Sequence, residues 1–194
     1  MTDSRKVTTV LFVGVGGQGI ILAGDILSEI VMRAGYDVKK SEVHGMAQRG
    51  GCVSSHVRYG SKVYSPLPGK GDVDILVSFE RMETLRYLDY LNEKSAVVVN
   101  DETIFPPSVN LGEEPYPDAV MEILRRYFPA VKALKATEMA RVAGDRRVAN
   151  TVMLGALSSL SSIDEGLWKE VLKEALPKKL VEKNLKAFDM GRKA

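Results

Sequence analysis

The sequence contains few residues that bind metals: one cysteine, Cys52, and two histidines, His44 and His56, among 194 residues. An iron–sulfur cluster usually needs four cysteine thiolates, and a structural zinc site needs several cysteine or histidine ligands. This chain therefore cannot house such a centre alone. A single cysteine also excludes an intramolecular disulfide, which fits a reducing compartment.

Long apolar runs are also missing. No stretch approaches the roughly 18 apolar residues that a membrane span needs, and the N-terminal residues do not lead into a signal peptide. We therefore expect a cytoplasmic protein without membrane contact. The 27 basic and 25 acidic side chains are interspersed and leave a net charge of +2, so we expect no nucleic-acid partner.

Apolar runs alternate with helical patterns in the N-terminal half, which is typical of an α/β sheet, and the C-terminal half has mainly helical patterns. Because Gly60-Ser61 predicts a hairpin turn, the sheet should be mixed. We expect a three-layer α/β single domain over residues 1–194, with a mixed, mostly parallel sheet and a helical C-terminal region. The predicted strands are 7–13, 36–43, 53–59, 62–64, 73–79, 96–99 and 131–135, with a possible short strand at 109–111. The predicted helices are 20–34, 82–91, 118–127 and several from 137 to the end, the last of them beginning at Pro177.

The segment Gly14-Val15-Gly16-Gly17-Gln18-Gly19 has GxGxxG spacing between a predicted strand and a predicted helix. One interpretation is NAD or FAD binding, which calls for an acidic residue at the end of the second strand. Asp37 lies too early in that strand, and Glu42 is better placed but precedes a large glycine-rich loop. A second interpretation is contact with an anionic ligand or a partner, and a third is turn geometry alone. The candidate contacts are Gly14, Gly16, Gly17, Gln18 and Gly19.

A second glycine-rich segment runs from His44 to Gly51, just past the carboxyl end of a predicted strand. Open α/β sheets place their sites at such ends. His44, Gln48 and Arg49 offer an imidazole, an amide and a guanidinium, which together suit a carboxylate or a phosphate. The alternative is a surface loop with solvated polar groups.

The strand after this loop alternates polar and apolar residues, so Cys52, Ser54 and His56 should share one face. Cys52 could act as a nucleophile only with a base beside it, and a small buried cysteine is the simpler interpretation. Trp168 lies in an amphipathic helical pattern and should anchor the core.

These segments together resemble the gamma domain of 2-oxoacid:ferredoxin oxidoreductases, and most closely the small subunits that act with indolepyruvate. The resemblance keeps its order over almost the whole chain. The matching segments are Val13–Ile20, Ser41–Gly51, Ser55–Arg58, Tyr64–Pro66, Asn150, Leu154–Leu157 and Asn184–Phe188.

The resemblance implies a heteromeric enzyme that oxidatively decarboxylates aryl pyruvates to aryl-acetyl-CoA, carbon dioxide and reduced ferredoxin. It implies no cofactor in this chain, since a large alpha subunit would carry thiamine diphosphate and iron–sulfur clusters. Coenzyme A would be the co-substrate, and ferredoxin would act through the complex. His44, Gln48 and Arg49 would support a site that the partner completes, and Arg49 and Arg58 join the candidates for anion or partner contact. The rival functions are a free-standing NAD- or FAD-dependent reductase and a purely structural scaffold subunit.

Overall fold

The structure is a computed structural model that describes residues 7–45 and 51–194. In the described residues, six strands and four of the helices make up the N-terminal two thirds, and helices alone follow the last strand. The strands are β1 (Thr8–Val15), β2 (Asp37–His44), β3 (Cys52–Gly60), β4 (Val73–Ser78), β5 (Leu91–Asn100) and β6 (Ala130–Leu134). The helices are α1 (Ile20–Arg33), α2 (Arg81–Arg86), α3 (Pro107–Asn110), α4 (Val120–Tyr127), α5 (Ala136–Ala143), α6 (Ala149–Ser158), α7 (Glu165–Ala175) and α8 (Val181–Lys193). Within the described residues no helix is long and apolar enough to cross a membrane.

The strands form one sheet in the order β2-β3-β1-β4-β5-β6. The β1–β4, β4–β5 and β5–β6 pairs are parallel, whereas β3 runs antiparallel to both of its neighbours, β1 and β2. The prediction of a mixed, mostly parallel sheet is therefore confirmed. The carboxyl ends of β1, β4, β5 and β6 lie along one edge of the sheet.

Both faces of the sheet are covered, which gives the predicted three layers. On the first face, residues such as Val10 and Phe12 of β1 pack against α1 and the C-terminal helices, and Trp168 of α7 is fully buried there as predicted. On the second face, alternate residues such as Leu11 and Val13 pack against α4. Each central strand is thus apolar on both sides, as expected for a sheet between two helical layers.

Two predicted strands were wrong. Residues 62–64 form no strand, because β3 already pairs with β1 and β2 and has no free edge for a hairpin partner. Side chains bind this segment instead: Asp37 accepts a hydrogen bond from the Val63 amide at 2.9 Å. Residues 109–111 also form no strand, since α3 begins at Pro107, where proline suits a first helical turn.

The helices α6 and α8 cross at two glycines. An added Cβ at Gly191 would lie 1.9 Å from the carbonyl oxygen of Val152, and one at Gly155 would lie 2.1 Å from that of Phe188. The two backbones therefore touch without intervening side chains. This contact fixes α6, whose first turn faces the site described next.

Candidate functional site

The glycine turn between β1 and α1 has the backbone geometry that its sequence requires. Gly17 and Gly19 have φ angles of 98° and 80°, a left-handed conformation that glycine adopts without steric penalty. Gly14 is needed for a different reason: a Cβ there would lie 2.8 Å from the Cβ of Phe79. The turn therefore fits closely against the start of the segment after β4.

Two candidate residues of this turn have partners within the chain. The Gln18 amide oxygen accepts a hydrogen bond from the Val15 amide at 2.8 Å, and its nitrogen donates to the Phe79 carbonyl at 2.8 Å. The Gly16 amide donates to the Gly51 carbonyl at 2.9 Å. Gln18 thus joins the ends of β1 and β4 and holds the turn in place.

A cleft of about 520 Å³ opens at this edge of the sheet, and the glycine turn forms part of its wall. The connection after β1 leads to α1 on the first face, whereas α2 after β4 packs on the second face. Ligands of open α/β sheets bind where connections diverge in this way. The cleft is therefore the best candidate site. Its wall includes Gly16, Gly17, Gln18, Gly19, Asn100, Glu102, Thr137, Arg141, Arg146, Arg147 and Asn150.

The cleft is cationic at its rim. Arg141 and Arg146 are exposed, and neither guanidinium has a hydrogen-bond or ion-pair partner in the part of the chain that the structure describes. Arg147 instead pairs with Asp145 at 2.7 Å, and this guanidinium lowers the pKa of the Asp145 carboxyl to about 2. Two uncompensated cations beside the N-terminus of α1 make the cleft attractive to an anion.

Asn150 adds a buried donor to this cationic wall. The residue is 6% exposed, and its amide oxygen accepts a hydrogen bond from the Thr151 amide at 2.9 Å. Its Nδ2 lies against Gly19, where a Cβ would approach it to 2.8 Å. Within residues 7–45 and 51–194 no acceptor reaches Nδ2, so this group is available to a ligand beside the N-terminus of α1.

On the same cleft, a hydrogen-bonded group follows the end of β5. Asn100 is 2% exposed, and its Nδ2 donates to the Phe79 carbonyl at 3.2 Å and to Glu102 Oε2 at 2.9 Å. The Thr137 hydroxyl donates to the same oxygen at 2.8 Å. The carboxylate of Glu102 is therefore held in one orientation on the wall of the cleft.

Other candidates from the sequence lie away from this cleft. Arg58 is near the opposite end of the sheet, where its guanidinium donates to the carbonyls of Ser65 and Leu67 at 3.0 and 3.1 Å. Gln48 and Arg49 lie outside the described residues, and the structure describes only the backbone of His44, at the end of β2. Their predicted role at a site that a partner completes stays a prediction.

The predicted common face of Cys52, Ser54 and His56 is confirmed, since Ser54 Oγ lies 3.3 Å from His56 Nε2. Cys52 is half-buried with its sulfur 3.3 Å from the Tyr87 hydroxyl. Burial, followed by the nearby Glu83 carboxylate, raises the pKa of the Cys52 thiol to about 11. Burial also lowers the pKa of His56. A half-buried thiol with a raised pKa, whose hydrogen-bond partner is a tyrosine hydroxyl and not a base, is not an activated nucleophile.

The acidic residue expected of a dinucleotide site is not beside the glycine turn. Glu42 is on β2, which antiparallel β3 separates from β1, and its carboxylate pairs with Lys40. The acid that shares the cleft with the glycine turn is Glu102, which follows β5 on the other side of β1. This arrangement argues against the NAD or FAD interpretation.

Residues 9–194 match the model of the pyruvate ferredoxin/flavodoxin oxidoreductase family, and the chain belongs to this family. It is 40% identical over 186 residues to indolepyruvate oxidoreductase subunit IorB of Archaeoglobus fulgidus, covering 94% of this chain and 92% of the relative. It is 30% identical over 200 residues to 2-oxoglutarate synthase subunit KorC of Methanothermobacter thermautotrophicus, covering 99% and 96%.

Two solved structures have the same fold. The gamma subunit of a keto/oxoacid ferredoxin oxidoreductase from Geobacter sulfurreducens PCA is 26% identical with a TM-score of 0.72, and the match covers 96% of each chain. The 2-oxoglutarate:ferredoxin oxidoreductase of Magnetococcus marinus, solved with 2-oxoglutarate, coenzyme A and succinyl-CoA bound, is 28% identical with a TM-score of 0.75. That match covers 97% of this chain and 31% of the other. The chain is thus a subunit of a heteromeric 2-oxoacid:ferredoxin oxidoreductase, as the sequence predicted.

Proposed function

We propose that this chain is the cluster-free small subunit of an indolepyruvate:ferredoxin oxidoreductase and that its cleft contacts coenzyme A. The aryl-pyruvate substrate is supported by the identity values: 37–40% to four indolepyruvate oxidoreductase subunits, against 30–32% to three 2-oxoglutarate synthase subunits. The proposed contact with coenzyme A is supported by two guanidiniums beside the glycine turn, those of Arg141 and Arg146, which have no partner among the described residues.

The overall reaction divides naturally between two subunits. The 2-oxoacid loses carbon dioxide, two electrons pass to two oxidised ferredoxins, and the acyl group joins the sulfur of coenzyme A with release of a proton. Thiamine diphosphate and iron–sulfur clusters would supply the decarboxylation and electron-transfer chemistry, and the single cysteine of this chain supports placing the clusters in a partner subunit. The described residues include no group of three or more metal-ligating side chains.

The contribution of this chain is then to bind and orient an anionic co-substrate. Coenzyme A carries three phosphate groups, and a guanidinium binds phosphate oxygens through a two-pronged hydrogen bond. Arg141 and Arg146 supply the charge, and the amides at the start of α1 with Asn150 Nδ2 supply further donors. Asn150 and the amides at the start of α1 are fixed by the fold before the ligand arrives, so this part of the cleft needs little reorganisation on binding.

The test uses the complex assembled from this chain and its large subunit. Arg146→Ala should raise the KM for coenzyme A about 10-fold, because it removes a charge-assisted contact, and should leave the KM for the 2-oxoacid unchanged. Arg125→Ala is the matched control, since Arg125 is an exposed arginine on α4 away from the cleft. An unchanged KM for coenzyme A in both Arg141→Ala and Arg146→Ala would refute the contact and favour a purely structural subunit.

The choice of substrate and the dependence on a partner need separate assays. The assembled complex should turn over indolepyruvate with a higher kcat/KM than 2-oxoglutarate, and the reverse order would refute the aryl-pyruvate assignment. The isolated chain, purified without oxygen, should contain no iron and should show no 2-oxoacid-dependent dye reduction. Titration of the same chain with NAD and with FAD tests the rival function of a free-standing reductase. That function requires saturable binding of one of the two dinucleotides.

A further inference from the structure

A carboxylate, Glu102, faces the cationic cleft without forming an ion pair. It lines the same cavity as Arg141 and Arg146, yet neither guanidinium lies within ion-pairing distance of it among the described residues. A negative charge in a cleft that attracts anions weakens phosphate binding nearby. Glu102 therefore needs an explanation other than neutralisation of a cation.

The orientation of this carboxylate is fixed from one side only. Both of its donors, Asn100 Nδ2 and the Thr137 hydroxyl, bind Oε2 at 2.9 and 2.8 Å. Asn100 is itself anchored, because its Oδ1 accepts a hydrogen bond from the Ala136 amide at 2.9 Å. Within the described part of the chain no donor reaches Oε1, which leaves one oxygen of a rigidly held carboxylate available to the cleft.

Such an oxygen has a definite preference among ligand groups. It accepts a hydrogen bond from a hydroxyl or an amide, and it repels a phosphate. The guanidiniums of Arg141 and Arg146 have the opposite preference. A ligand that carries a phosphate and, a short distance away, a neutral donor can satisfy both parts of the wall at once.

We propose that Glu102 orients coenzyme A in the cleft by accepting a hydrogen bond from one of its neutral donors. Coenzyme A has such donors on both sides of its diphosphate: the ribose hydroxyl and adenine amino group on one side, and the hydroxyl and amides of pantetheine on the other. The inference rests on the proposed function, since it assumes that the cleft holds coenzyme A. It adds a positioning residue, which contacts the neutral donors on one side of the diphosphate.

The test compares three competitors of coenzyme A in the assembled complex of wild type and Glu102→Gln. Adenosine 3′,5′-bisphosphate and 4′-phosphopantetheine each carry one set of donors, and inorganic diphosphate carries none. The substituted amide can still present an oxygen to Asn100 and Thr137, but it then directs an NH₂ group, which cannot accept, into the cleft. We expect the inhibition constant of one donor-bearing fragment to rise about 10-fold, while that of diphosphate stays equal or falls.

Glu138→Gln serves as the control, because it removes the same charge from an exposed position on α5. The proposal is overturned if the three inhibition constants of Glu102→Gln shift together or stay unchanged while the circular dichroism spectrum is native. Failure of the proposed function has a different signature. In that case diphosphate does not compete with coenzyme A in the wild type, and Arg146→Ala has no effect.

Discussion

Alanine at position 191 would place a methyl group inside the backbone contact between α6 and α8. The added carbon would lie 1.9 Å from the Val152 carbonyl oxygen, whereas a carbon–oxygen contact needs roughly 3.3 Å, so the helices must separate by more than an ångström. Helix propensity alone predicts the opposite effect, since alanine is favoured over glycine by about 1 kcal/mol in a helix interior. Overpacking costs ~1–3 kcal/mol, and here the whole helix must move rather than a flexible side chain. We expect a net destabilisation of about 2 kcal/mol.

Thermal unfolding followed by circular dichroism measures this effect. A loss of about 2 kcal/mol lowers the Tm by roughly 4–8 °C in a protein of this size. Lys173→Ala is the control, because Lys173 is an exposed position on α7 and its substitution should leave the Tm within about 2 °C. Gly155→Ala contacts the same crossing, so the double variant should lose less than the sum of the two single losses. A Tm for Gly191→Ala at or above that of the wild type would refute the argument.

Four further outcomes follow from three single residues. Gly17→Ala should lower the unfolding free energy by about 1 kcal/mol, because a φ of 98° strains alanine although the space around it is open, and an unchanged Tm would contradict this. Since the pKa of the Cys52 thiol is raised to about 11, iodoacetamide at pH 8 should modify the folded protein at least ten times more slowly than the denatured protein. The same raised pKa gives stability that is present below the ordinary thiol pKa, near 9, and is lost as the pH rises towards 11, so Cys52→Ala should flatten that part of the pH profile. Burial lowers the pKa of His56, so the neutral imidazole stabilises the fold above its ordinary pKa of 6.5, and this stabilisation is lost as the pH falls. His56→Gln should therefore make the unfolding free energy less sensitive to acid. The same dependence of unfolding free energy on pH in both proteins would count against this.

Local sequence patterns correctly predicted the strands whose burial follows one regular pattern along their length. β1 is buried on both faces and reads as one apolar run, and the alternation along β3 correctly placed Ser54 and His56 on one face. The prediction of a return strand at 62–64 was wrong because strand pairing depends on distant parts of the chain, which a local pattern does not reveal. Whether a hairpin partner can pair depends on the free edges of β3, and distant β1 occupies one of them.

The same limit applies to the site. The sequence identified the glycine turn, but not Arg141, Arg146 or Glu102, as members of one cleft. These residues follow different strands, and they meet only because β1, β4, β5 and β6 end at one edge of the sheet. A usable signal was present: Asn100 and Glu102 come directly at the end of a predicted buried strand, where polar side chains often mark a site.

The strand order also explains why a dinucleotide-like turn need not bind a dinucleotide. In that class of site, the acidic residue ends the parallel strand directly beside the first one. Here antiparallel β3 occupies that position, and two strand spacings, roughly 10 Å, separate β2 and its Glu42 from β1. The only carboxylate on the cleft wall among the described residues therefore reaches it from the other side, through β5. A ligand in this cleft must place its anionic groups near α1 and α5 and its neutral donors near Glu102, a distribution of charge that coenzyme A can provide.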